Sequence, residues 1–278
     1  MKTKRIIIKG LVGAAILGFI FIGCKKSSSS PQDTDTESGT DDSQANLFSQ
    51  DASNISDNAA KGQTTYRPQQ QGNENVLSTC ATVTNDTSVT PHVLTINFGT
   101  SNCMCIDGRY RRGEIIVNYS GRYFDSTSVH TLSFSNYYVN NYNVQGTKTV
   151  TNMGRNSLGH YFWNISATIK VTRPDGKIFT WNSTRTRTLV NGAINTWSPT
   201  DEYNVTGSAN GVDVNGLSFT AQITNPLDWI MDCYWIRSGT VNITPSGKPT
   251  RIIDFGSGTC DNKITVTING ITYNVTLP

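Results

Sequence analysis

The chain has 278 residues with 23 Lys and Arg against 20 Asp and Glu, yet Lys2, Lys4, Arg5 and Lys9 crowd its first nine positions. Without that segment the balance is 19 basic to 20 acidic residues, a net charge of −1, which excludes the basic footprint of a nucleic-acid partner. The 205 residues from Glu74 to Pro278 suffice for one sizeable core in the size range of a single all-β domain.

The basic start is followed by an apolar run from Leu11 to Ile22 and then by Gly23-Cys24, Lys25-Lys26 and four serines. The run falls short of the roughly 20 residues that a spanning helix needs. Its flanks are those of an export signal, predicted over 1–23. Phe21-Ile22-Gly23-Cys24 resembles the bacterial lipobox, with Phe21 in place of the more usual leucine. The resemblance implies a diacylglyceryl thioether and an acylated amino group on Cys24. More than one acyl chain holds a protein stably at a bilayer, so the membrane is an expected partner through a lipid anchor. Lys25 after the cysteine resembles lipoproteins sorted to the outer membrane. Cys-Lys-Lys before a Ser- and Asp-rich stretch is similar to lipoproteins of Bacteroidota.

From Lys25 to Asn73 only eight of 49 residues are apolar or aromatic. Such a composition predicts a disordered tether over 24–73, reaching roughly 40 Å as a flexible coil. Asp33, Asp35, Glu37, Asp41, Asp42, Asp51 and Asp57 cluster within it. The cluster resembles the acidic export signals of surface-exposed lipoproteins. A solvated spacer on the periplasmic face is the other reading.

Residues 74–278 are expected to form the single all-β domain. Alternating apolar and polar runs recur there between Asn-Gly and Asp-Gly pairs, without helical periodicity. Ten or more antiparallel strands joined as a meander follow, as a curved sheet, a sandwich or a barrel. Around Pro174-Asp175-Gly176, a three-residue loop with Gly176 in the left-handed region sets Val171 opposite Phe179 and Ile169 opposite Trp181. At Asn269-Gly270, a type I′ turn sets Ile268 opposite Ile271, Val266 opposite Tyr273 and Ile264 opposite Val275. Thr267 with Thr272 and Thr265 with Asn274 then share the other face.

The five cysteines beyond Cys24 should pair in an oxidising compartment. Ile96 to Cys103 is echoed by Ile253 to Cys260, and Cys80 and Cys233 precede the two copies at similar distances. One bridge is expected from Cys80 to Cys103 or Cys105, and another from Cys233 to Cys260. Cys103-Met104-Cys105 has only Asp107 beside it, so no metal and no cofactor are expected. Asp213-Val214-Asn215-Gly216 lacks the later acidic ligand of a calcium loop and reads as a turn.

His92, His130 and His160 are scattered, with no nucleophile motif near them. Glu114, Asp201, Glu202 and Asp254 are acids that linear spacing does not pair for hydrolysis. Arg185 and Arg187 alternate with threonines, as expected of a solvated or edge strand. With Trp229 and Trp235 they are the candidate ligand contacts. The chain is therefore expected to be a non-enzymatic outer-membrane lipoprotein, a binding or structural module of the cell envelope whose partner is a glycan or an envelope protein. The alternatives are a glycan-active hydrolase whose acids converge only in the fold, and a β-barrel carrier of an apolar ligand.

Overall fold

The computed structural model describes residues 31–60, 80–192, 198 and 200–278; the expected export signal over 1–23 and Cys24 lie outside them. Among the described residues one helix, α1 (Glu37–Ala59), precedes β1 (Thr82–Asp86), β2 (His92–Asn97), β3 (Cys103–Met104), β4 (Tyr110–Tyr119), β5 (Val129–Val139), β6 (Tyr142–Arg155) and β7 (Tyr161–Thr172). Then come β8 (Ile178–Asn191), β9 (Glu202–Val212), β10 (Ser218–Ile230), β11 (Ser238–Pro245), β12 (Arg251–Ser257), β13 (Lys263–Ile268) and β14 (Ile271–Thr276).

All 14 strands belong to one antiparallel sheet in sequence order, with β3 hanging off β4. The sheet does not close, since β1 and β14 end the path without pairing. A closed barrel around a ligand cavity, one of the expected alternatives, is thereby excluded. Both hairpins have the anticipated register, from Val171↔Phe179 to Ile264↔Val275. Asn269 and Gly270 have φ of 50° and 80°, the two positive values that a type I′ turn requires.

Alternation divides the sheet into two unlike faces. Along β7 the residues Trp163, Ile165, Ala167, Ile169 and Val171 are buried, whereas Asn164, Ser166, Thr168 and Lys170 are exposed. The buried face curves around α1, because the β3–β4 hairpin and the β10–β11 loop meet although β4 and β10 are far apart in the strand order. Arg109 of the β3–β4 hairpin places its guanidinium 3.2 Å from the Tyr234 ring of the β10–β11 loop.

The tether expectation is corrected over Glu37–Ala59, which form a helix with 18 of its 23 residues buried, while 24–30 and 61–73 lie outside the described residues. Four of the acids noted there, Glu37, Asp41, Asp42 and Asp51, pair inside the fold. Counting apolar residues misled, because this helix is held by other means. Gly39 lets the backbone meet Ile253 so closely that a Cβ there would lie 2.5 Å from its Cδ1. The acids find cations instead of water. A signal was nevertheless legible: Ala45, Phe48, Ala52, Ile55 and Ala59 recur at spacings of three and four, the stripe of a packed helix.

Two disulfides join Cys80 to Cys103 and Cys233 to Cys260, leaving Cys105 as a buried free thiol. They close loops of 23 and 27 residues, each stabilising by about 3 kcal/mol on the chain-entropy model. Both bridges form in the expected pattern, and the open choice falls on Cys103.

Candidate functional site

The concave face is lined with cations that α1 meets. Arg111 is fully buried and receives Asp51 of the helix at 2.9 Å and Asp107 of its own hairpin at 2.7 Å. Burial opposes its charge, but Asp51 chiefly, with Asp107, outweighs that and holds its pKa above the ordinary value. Arg173 pairs with Glu37 at 2.9 Å and with Asp41. Asp42 accepts from the Trp181 indole at 2.7 Å and lies 4.0 Å from Arg185. The Lys148 ammonium donates to the Ser49 carbonyl at 2.8 Å. Ser38 donates to Asp213 at 2.5 Å, and Asp213 also accepts the Asn215 and Leu217 amides. Asp213 to Gly216 is thus a turn, and it also docks the helix.

This arrangement revises the reading of the basic strand. Arg185 and Arg187 are 3% and 1% exposed and share the concave face with Trp229, itself 1% exposed; none of the three is presented to solvent. Alternation does put both arginines on one face, as expected, but that face is the buried one. Arg187 instead stands among the rings of Tyr203, Trp163, Tyr123 and Trp229, 4.8 to 5.9 Å from each. Cation–π attraction replaces hydration at such a site. Trp235 is half-buried, packed at right angles on Tyr234. The four candidates form no outward-facing site.

The buried charges have a pH signature. Burial pushes the Lys148 ammonium down to about 7, with Asp57 opposing. It pushes the Asp41 carboxyl up to about 6 against Arg173, and raises Asp42 and Asp51. A lowered lysine pKa means that folding expels a proton, so stability rises with pH from about 7 towards the unfolded value of 10.5. A raised carboxyl means that folding takes one up, so stability falls as pH climbs from 3.8 to about 6. Between them Lys148 and Asp41 place a minimum of stability between about pH 6 and 7. Melting temperature across pH 5–9 should show a trough there, with a slope of up to roughly 1 kcal/mol per pH unit on either side. Lys148→Met should flatten the alkaline side alone, and a maximum at neutral pH would contradict the assignment.

Outside, the β4–β5 pair carries a polar cleft. Register shifts between Arg112 and Glu114, where Gly113 has φ +83° and a Cβ would lie 2.0 Å from the Asn136 carbonyl oxygen. This bulge brings both charged neighbours to the rim. The cleft, of about 430 Å³, is lined among others by Asn97, Thr100, Arg112, Glu114, Asn136 and Tyr138. Asn97 donates to Glu114 at 2.7 Å. Arg112 donates to Asn102 and Asn141 at 2.6 and 3.0 Å and lies 3.6 Å from the Tyr138 ring centre. Its cation is thereby fixed beside an aromatic plane.

Other residues named from sequence go elsewhere. His92 and His130 flank the Tyr119 ring at 5.2 and 5.6 Å, while His160 sits at the β6–β7 turn. Glu202 pairs with Arg237, Asp254 accepts the Gly256 amide, Asp201 is buried, and only Glu114 reaches the cleft. Among the described residues no group of three or more His, Cys, Asp and Glu is placed to hold a metal ion. No helix of the described residues is long and apolar enough to cross a membrane. Compared with family models, curated proteins and solved structures, the chain matches none.

Proposed function

We propose that this chain is a non-enzymatic binding module of the cell envelope, anchored to the outer membrane through acylated Cys24, whose ligand is a glycan. The cleft at the Gly113 bulge carries the proposal. Its amides, hydroxyls, one carboxylate and one guanidinium supply many hydrogen-bond partners around the Tyr138 ring, as a polyol requires. Acid-pair hydrolysis needs two carboxylates across the bond to be cut, and one lines this cleft. The concave face is occupied by α1, which leaves the outer surface for recognition.

A glycan array followed by titration calorimetry tests the cleft. Tyr138→Ala and Glu114→Gln should each weaken the best glycan at least tenfold with the melting temperature unchanged. Binding indifferent to both variants, or no glycan bound, overturns the reading. Release of new reducing ends from a bound glycan would favour the hydrolase instead. Mass spectrometry of the mature amino terminus tests the anchor, since unmodified Cys24 removes it.

A further inference from the structure

The convex face carries a second, larger feature. Two neighbouring rows of cross-strand partners run across seven strands, from β5 to β11. One begins at Thr131 and ends at Asn242; the other begins at Ser133 and ends at Thr244. All 14 positions carry a hydroxyl or an amide, and none is buried. Strands stand about 4.8 Å apart and same-face neighbours about 7 Å, so each row spans roughly 30 Å. The first charged residue towards the next row on β7 is Lys170.

Some of these groups are oriented by one another: Thr131 and Thr149 lie 3.3 Å apart, and Asn182 reaches Asn210 at 3.5 Å. A recess of about 430 Å³ opens among Asn182, Asn210, Thr220 and Thr244, over the backbone of Gly211 and Phe219.

We infer that this field binds an extended, uncharged polysaccharide laid across the strands, with about one sugar residue per strand. The inference rests on the binding-module reading, narrows its glycan to an extended neutral polymer and adds a second site. The chemistry of the field selects the occupant. A nucleic acid needs Lys and Arg for its phosphates, and neither occurs in the two rows. A protein partner needs aromatic or apolar anchors at its centre, and the rows have none. Neutral donors and acceptors exchange water for sugar hydroxyls without desolvating a charge, and the strand spacing is close to the length of one sugar in an extended chain.

Affinity electrophoresis of the full mature chain through gels containing hydroxyethyl cellulose or galactomannan tests this, with carboxymethyl cellulose and polygalacturonate as charged counterparts. The neutral polymers should retard the chain. Cello- and manno-oligosaccharides should compete better with length, up to about seven residues. Ser208→Glu and Asn210→Glu, both at exposed positions, should weaken retardation at least tenfold with circular dichroism unchanged, while Asn274→Glu, exposed on β14 beyond the rows, leaves it intact. Failure of every neutral polymer to retard the chain, stronger retardation by the charged ones, or indifference to the glutamates overturns the inference. Loss with Tyr138→Ala but not with the glutamates would return the ligand to the bulge cleft alone. Retardation with no effect of Tyr138→Ala on any glycan would instead remove the cleft and leave the field.

Discussion

Replacing Arg111 by methionine is expected to destabilise the fold by about 3–5 kcal/mol, the usual consequence of removing one partner from a buried ion pair. The guanidinium is 0% exposed and stands between Asp51, whose side chain is 5% exposed, and Asp107. Without it two carboxylates face each other, one of them already pushed towards its neutral form by burial. The loss should therefore shrink as pH falls, because burial favours the protonated form of Asp51. It should also shrink by half or more in Asp51→Leu/Arg111→Met, because apolar isosteres remove the uncompensated charge. Urea denaturation of the three chains at pH 7.5 and 5 measures this. A single variant within 1 kcal/mol of the parent would mean that Arg111 does not fasten α1 to the sheet.

Trp163→Ala should cost a similar amount, about 3–5 kcal/mol, through lost burial and an incompletely collapsed cavity. The indole is 0% exposed and donates to the Tyr123 carbonyl at 3.3 Å. It stacks on Tyr123 at 5.4 Å, meets Phe124 edge-on at 5.5 Å and borders Tyr203 at 6.1 Å. Truncation also opens one wall of the ring of aromatics around Arg187, so a buried cation loses part of what replaces its water. Trp163→Phe should retain more of the stability. Asn164→Ala, one residue along on the exposed face, should stay within about 0.5 kcal/mol. Equal effects at 163 and 164, read from thermal melts, would reject the division into faces.

The hairpins were legible because turn chemistry and a period of two act over neighbouring residues. Asn269-Gly270 admits one comfortable turn, and a slip of one residue would turn Ile264, Val266 and Ile268 to water. The disulfide pairing was legible from the echo around Cys103 and Cys260. The bulge cleft was not, because Glu114 and Asn97 meet only through the β2–β4 register and Tyr138 joins through β5. The outer field was hidden for a related reason. Each strand shows only alternating threonines and asparagines, and their merging into rows depends on six registers at once.

The amino-acid order by itself determined an antiparallel meander with one oily and one wet side, the pairing in its clearest hairpins, and a start that resembles a lipoprotein's. These follow from local forces: turn geometry, pleated alternation and the cost of exposing apolar surface. Tertiary structure decided which side Arg111, Lys148, Arg185 and Arg187 face, and that an acidic stretch poor in apolar residues becomes a buried helix. A charge can enter a core only where an opposite charge, a carbonyl or an aromatic ring awaits it, and those partners come from segments far away along the chain.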